Sequence, residues 1–292
     1  MNVIFQVDGG LGKSIMATAM VKVIRNNYPS SKIIVVTAYP DVFLHNPIVS
    51  ETYNINQING LYLKHIKGQD CLVLTQEPYR QSDFILEKPI SLYETWCDSM
   101  GLTYSGENPS IYLSLPEIDY YGPFYKTDKP ILTIQPHGGP ITQGYQYSWT
   151  RDIPTPIVNQ IIEHYKEDYT IIHVKHEKQV TYENTLQALD NFRSIAILLS
   201  LSNKRLLIDS SSQHIAAALS LRSTVCWSLT KPEVFGYDIH DNIKAEPFTL
   251  EPSLEQATYS PWSLSQEIST IPYRDLYEVF NTDKIINSIN NQ

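Results

Sequence analysis

Val3-Ile4-Phe5-Gln6-Val7-Asp8-Gly9-Gly10-Leu11-Gly12-Lys13-Ser14 runs from an apolar segment through a glycine-rich turn into a helical pattern. Much later in the chain, Arg205-Leu206-Leu207-Ile208-Asp209-Ser210-Ser211-Ser212-Gln213-His214-Ile215-Ala216-Ala217-Ala218 makes the same transition through serines. A strand that ends in small residues and then opens a helix leaves the first N–H groups of that helix without intrahelical partners. Those groups point at whatever lies in front of the turn, which makes it a ready anion site. One such turn in each half of the chain predicts two α/β domains facing a common cleft, with a phosphorylated ligand between them.

Working outward, the first half alternates strand and helix. Residues 13–27 read as an amphipathic helix with Ile15, Met16, Ala19, Met20, Val23 and Ile24 on its apolar face. Asn26-Asn27-Tyr28-Pro29 stops it, and the run 32–37 (KIIVVT) is of the buried parallel-strand type. Ala38-Tyr39-Pro40-Asp41 turns into another helix, residues 71–74 form a further strand, and residues 92–100 a helix closed by Gly101. Residues 114–129, with two prolines, a glycine and no period, read as the interdomain linker. The pattern then restarts. A strand at 130–134 leads into a loop with Gly138, Gly139, Pro140 and Gly144, and helices at 155–165, 193–201 and 213–219 alternate with strands at 170–174, 205–208 and 224–227. Residues 275–289 read as a terminal helix. Strands alternating with helices imply parallel sheets with right-handed crossovers. The expected domains are 1–120 and 128–270, with 271–292 packing back toward the first.

Composition narrows the class. A chain of 292 residues, 42% hydrophobic and 18% charged, has a normal core in each half, and its net charge of -9 argues against a nucleic-acid partner. Met1 leads directly into a strand, with no signal-peptide pattern, and no apolar run approaches the length of a membrane span. Cys71, Cys97 and Cys226 are scattered and odd in number, which fits free thiols in a reducing cytoplasm.

The motifs, in order, resemble those of the family 9 glycosyltransferases, the heptosyltransferase-like enzymes of the GT-B fold. Gly9-Gly10-Leu11-Gly12 is similar to that family's opening GGLGD turn, and Tyr28-Pro29-Ser30-Ser31-Lys32-Ile33 and Asn46-Pro47 to the steps after it. Trp96-Cys97 through Gly101-Leu102, and residues 109–113, resemble the end of its first domain. Gln135-Pro136-His137-Gly138 and Trp149 resemble the opening of its second domain. Asp209-Ser210 with His214-Ile215-Ala216-Ala217-Ala218 resembles its DSG-x-x-HLAAA stretch, and Thr230, Pro232 and Gly236-Tyr237 the following GPT-x-P…GPY. The resemblance implies two Rossmann-like domains and transfer of a sugar, hexosyl or heptosyl, from a nucleotide-diphosphate donor with inversion. ADP-linked sugars are among the candidate donors, and the acceptor (glycan, lipid or other) is open. It further implies donor binding by the second domain, acceptor binding by the first, and no required metal or other cofactor.

The candidate site follows. The N–H groups of Ser211, Ser212, Gln213 and His214 would receive the donor diphosphate, Asp209 would bond a sugar or ribose hydroxyl, and His214 would donate to phosphate. Ser210 and Gln213 also have the spacing of a capping box. His137, Gly138, Lys175 and Thr230 complete the expected donor side. Gly9, Gly10 and Gly12 form the acceptor-side turn, where glycine permits positive φ and close approach. The resembled family places an Asp, its general base, where this chain has Lys13. Three readings follow. Asp8 serves as base from the other side of the turn, or Lys13 stabilises the leaving phosphate with no strong base needed, or the protein binds a sugar nucleotide without transferring it. Tyr147 stands where the family has a phosphate-contacting lysine, a charge that Lys175 or Lys13 could replace. A rival reading is a deviant Walker-type ATPase, since Gly9 to Ser14 fits the core GGxGK[ST], although that motif's signature lysine is Asp8 here. His173 and His176 fall on opposite faces of a strand, which argues against a metal pair.

Overall fold

The computed structural model describes residues 1–76, 90–138, 150–247 and 273–292. Gly139, Pro140, Gly144, Tyr147 and Trp149 lie outside the described residues. Two parallel sheets organise the chain. The first contains β1 (Asn2–Val7), β2 (Lys32–Thr37), β3 (Val49–Asn54) and β4 (Cys71–Gln76) in the order β3-β2-β1-β4. The second contains β5 (Ile131–Ile134), β6 (Thr170–His173), β7 (Leu186–Gln187), β8 (Lys204–Ile208), β9 (Thr224–Trp227) and β10 (Asp241–Lys244), ordered β10-β9-β8-β5-β6-β7. Every pairing between these strands is parallel. In both sheets the first strand is central and later strands add on either side. This is the doubly wound pattern, in which ligands bind outside the carboxyl ends of the strands where the order reverses. That position falls at β1/β4 in one sheet and at β5/β8 in the other. It puts Asp8, Gln135 and Asp209 at the relevant edges.

The helix after β1, α1 (Leu11–Asn27), is buried nearly all round rather than along one face: Ser14 to Val21, Val23 and Ile24 are all inaccessible. The reason is a second partner. The three alanines of α6 (Ser211–Ala218) let that helix approach α1, and one continuous core joins Val3 and Phe5 of the first sheet to Leu207, Ile215 and Trp227 of the second. The chain segment before the expected linker is laid along this seam. Thr18 Oγ1 accepts from the Ser110 N–H at 2.9 Å, and Ile111 N–H reaches Ala218 O at 3.4 Å.

Three expectations need correction. Residues 114–129 are not aperiodic: they form α3 (Leu115–Tyr121) and a 3-10 turn (Gly122–Tyr125). Pro116 sits in the first helical turn, where proline starts a helix rather than breaking one. Glu117 Oε2 accepts from Ser114 N–H and Oγ at 2.8 and 2.7 Å. The terminal helix is shorter than expected, α8 (Thr282–Asn290), and it packs on the second sheet rather than toward the first domain. Ile285 and Ile289 enter the core with Leu206 and Ile208 and with Ile157 and Ile161 of α4 (Thr155–Tyr165). Lys204 Nζ donates to Ile289 O at 2.7 Å. The helix expected after Pro40 is a single 3-10 turn, Pro40–Phe43.

Glu117 also ties the linker to α5 (Phe192–Leu201). Arg193 donates to it through Nε at 2.6 Å and Nη2 at 2.8 Å, and to Tyr112 O at 2.5 Å. This bidentate pair holds the Glu117 carboxyl down at about 2, the Arg193 hydrogen bond being the main cause. A carboxyl held below its unfolded value contributes stability above about 4.5 that is lost as pH falls toward 2, on the order of 2–3 kcal/mol at full strength. Glu117→Gln should therefore lower the urea midpoint at pH 7 and flatten its fall between pH 5 and pH 2. Equal acid slopes for both proteins would contradict the pairing.

Candidate functional site

The two small-residue turns meet. Gly9 adopts φ +108°, a conformation open to glycine, and the Lys13 side chain folds back over it, so that a Cβ there would lie 2.5 Å from Lys13 Cδ. Three residues on, a Cβ on Gly12 would lie 3.0 Å from His214 Cδ2, 3.3 Å from His214 Nε2 and 3.8 Å from Ser211 Cα. The heads of α1 and α6 therefore stand side by side. Neither carries a side-chain cap or an acidic residue in its first turn. By contrast α2 (Leu92–Met100), α5 and α8 begin at Ser91, Asn191 and Asn281, whose side chains accept from the first turn. Two adjacent uncapped heads concentrate unpaired N–H groups and the positive ends of two helix dipoles at one point.

The expected Ser210–Gln213 capping box does not form. Ser210 offers only its carbonyl, to Gln213 N–H at 3.2 Å. The Gln213 side chain is fully buried and donates to Phe235 O at 3.1 Å. Ser212 Oγ is buried and has no hydrogen-bond partner among the described residues. His214 is held by Tyr237, whose hydroxyl is 2.8 Å from Nδ1. Burial, helped by His240 and Arg151, pushes the His214 imidazole down to about 3, so the ring is neutral. Asp209 is buried at the end of β8, with Arg151 Nε 4.0 Å away.

On the other side of the seam, Asp8, Gly9 and Gly10 are exposed at the carboxyl edge of the first sheet. Lys13 is brought down to about 8, burial outweighing the opposing pull of the Asp8 carboxylate. Gln76, at the end of β4 and in register with Val7, is fully buried, and among the described residues neither amide atom is bonded. Ser14 Oγ lies 3.1 Å from Thr37 Oγ1 in the core.

The remaining expected residues divide. Gly138 packs against Arg151: a Cβ there would meet Arg151 Cδ at 2.9 Å, and its N–H donates to Asp152 Oδ1 at 3.0 Å. His137 lies beneath it with both nitrogens engaged, Nδ1 at 3.2 Å from Asp152 Oδ2 and Nε2 at 2.6 Å from the Tyr182 hydroxyl. It supports the loop. Lys175 is buried at the end of β6 and donates to Thr181 Oγ1 at 2.9 Å. Thr230 lines a separate cavity of about 370 Å³ with Trp227, Lys231, Lys244 and Tyr273. Sequence reasoning missed Arg151, Asp152, Tyr182, Tyr93 and Gln76. Their roles come from contacts between distant segments. The 20 tyrosines of this chain are a signal of composition, without positions, and could not have named them.

No protein-family model matches the chain, and no curated protein does. Solved structures do. A family 9 glycosyltransferase from Veillonella parvula DSM 2008 aligns at TM-score 0.68 and 14% identity over 99% of this chain and 96% of that one. The E. coli heptosyltransferase WaaC with ADP aligns at TM-score 0.60 and 11% identity over 100% and 99%. The iron-containing dodecameric glycosyltransferase TibC of enterotoxigenic E. coli H10407 aligns at TM-score 0.70 and 10% identity over 99% of this chain and 77% of that one. The fold is therefore GT-B, two parallel-sheet α/β units, and it resembles the family 9 glycosyltransferases in structure as it does in motif order.

Helix propensity alone makes Gly12→Ala stabilising by up to about 1 kcal/mol. The contact with His214 predicts the opposite, a net loss of about 1–3 kcal/mol from overpacking. Urea unfolding of Gly12→Ala distinguishes the two, and a stabilised variant would show that His214 gives way and that this contact does not constrain the helix heads.

Proposed function

We propose that the protein is a glycosyltransferase that moves a sugar from a nucleoside-diphosphate donor to an acceptor hydroxyl with inversion, without a required metal. The observation that carries this reading is the meeting of two uncapped helix heads at Gly12 and His214. A diphosphate supplies acceptors for first-turn N–H groups, of which Gln213 N–H already donates to Ser210 O at 3.2 Å and would share its proton. On this reading the N–H groups of Ser211 to His214 receive the donor phosphates, Asp209 bonds a sugar or ribose hydroxyl, and Gly138 admits the Arg151 side chain beside it. Lys13, folded over Gly9, adds positive charge from the acceptor side. Asp8 takes the proton from the acceptor hydroxyl, and that oxygen attacks the anomeric carbon from the face opposite the phosphate. The bond from the anomeric carbon to the β-phosphate oxygen breaks, and its electron pair stays on the diphosphate, stabilised by the helix heads. Approach of the two units around the donor would exclude water and limit hydrolysis. Heptosyl transfer from ADP-heptose is the donor chemistry to try first, because a further similar structure is that of the E. coli ADP-heptose lps heptosyltransferase II.

The burial of Ser14 against Thr37 counts against the Walker-type ATPase, because the equivalent hydroxyl would have to reach a magnesium ion.

Calorimetry with ADP, UDP, GDP, CDP and ATP, each with Mg²⁺ or with EDTA, tests the reading. Binding of one nucleoside diphosphate in EDTA is expected, and binding of ATP alone, only with Mg²⁺, would overturn it. In a transfer assay Asp8→Asn should cut turnover about 100-fold or more with diphosphate affinity retained. Undiminished turnover removes Asp8 as the base. Lys13 is charged below about 8 and neutral above it, so diphosphate affinity should fall as pH rises through that value. Lys13→Met should bind more weakly and lose this dependence, and a flat wild-type profile would exclude Lys13 from the phosphate site.

A further inference from the structure

Behind His214 a chain of hydroxyls crosses from one half of the molecule to the other. Tyr237 Oη lies 2.8 Å from His214 Nδ1 and 3.0 Å from Tyr93 Oη. Tyr237 follows α7 (Pro232–Phe235) of the second unit, while Tyr93 is on α2, which packs on the first sheet. All three side chains are buried, and among the described residues neither hydroxyl has another hydrogen-bond partner. Tyr93 is braced by stacking on Tyr104, ring centroids 5.6 Å apart, and by an edge contact with Trp96.

Proton counting fixes the direction of this chain. A neutral imidazole has one N–H and one acceptor nitrogen. If Nδ1 carried the proton it would donate to Tyr237, Tyr237 would donate to Tyr93, and the Tyr93 proton would be buried without an acceptor. That arrangement is costly. If instead Tyr93 donates to Tyr237 and Tyr237 donates to Nδ1, every hydroxyl proton is used. The imidazole proton is then on Nε2, the atom facing Gly12 at the meeting of the helix heads.

We infer that Tyr237 and Tyr93 are positioning residues. Tyr237 fixes His214 as the Nε2–H tautomer that donates to the leaving diphosphate, and Tyr93 anchors Tyr237 from the acceptor-side unit, so that separating the two units releases the donor-side histidine. The tautomer assignment stands on the direction of the hydroxyl chain: Gln213 Nε2 lies 3.2 Å from both ring nitrogens, so that amide favours neither tautomer. Its use on phosphate rests on the function proposed above.

Two measurements decide it. In ¹⁵N-histidine-labelled protein, with the His214 signals assigned by their loss in His214→Gln, wild type should show a single neutral Nε2–H tautomer. Tyr93→Phe should retain it and Tyr237→Phe should lose it to a mixture. An Nδ1–H tautomer in wild type, or unchanged His214 signals in Tyr237→Phe, overturns the inference whether or not any nucleotide binds. Calorimetry with ADP as the probe then reads the coupling. Tyr93→Phe should weaken binding about 3-fold and Tyr237→Phe about 10-fold, and the double variant should match Tyr237→Phe alone. Full additivity of the two single effects would show that Tyr93 does not act through Tyr237. If wild type binds no nucleoside diphosphate, the donor reading fails, while the tautomer result still decides the relay.

Discussion

The contact between Gly12 and His214 is the constraint on which the rest depends. The two helices begin side by side with Gly12 close against His214, where a Cβ would push the heads or the imidazole apart by a few tenths of an ångström. With the heads side by side, their unpaired N–H groups and dipoles add at one place. The core that joins the two sheets through α1 and α6 is what holds the heads together. The alanines of α6, the burial of α1 on nearly all sides and the segment 108–113 laid along the seam all serve this approach. A site assembled from two sheets in this way needs few specialised side chains. Most of the proposed phosphate binding comes from backbone groups already oriented by the fold.

The same economy explains the polar residues beneath the site. His137, Asp152 and Tyr182 occupy one another fully and shape the loop at Gly138. Gln76 and Ser212, by contrast, are buried with polar atoms that find no partner among the described residues, close to the edges where donor and acceptor would lie. Unpaired buried polar groups are costly unless a ligand or ordered water completes them.

Much of this was legible in the sequence. KIIVVT at Lys32–Thr37 and the strand-to-helix transitions at Val7 and Ile208 pointed to parallel sheets, because apolar runs closed by small residues have few alternatives. The motif order pointed to the GT-B fold. Other features were not legible locally. Pro116 looked like a linker residue until the partnership of Glu117 with Ser114 and Arg193 showed a capped helix start. Gln213 had the spacing of a cap, but the burial of its side chain against Phe235 O outweighed that local option. Tyr237 stood out only as part of the Gly236-Tyr237 motif and Tyr93 carries no local signal, since what matters is a 3.0 Å contact between residues far apart in the chain.

Hydrogen exchange with and without ADP tests the central claim most directly, because it reads backbone N–H groups at both turns in one experiment. Protection appearing together at residues 9–14 and 210–214, in the absence of Mg²⁺, is the predicted result. Protection at 9–14 alone that requires ATP and Mg²⁺, or no protection at 210–214 under saturating nucleotide, would contradict a shared diphosphate site.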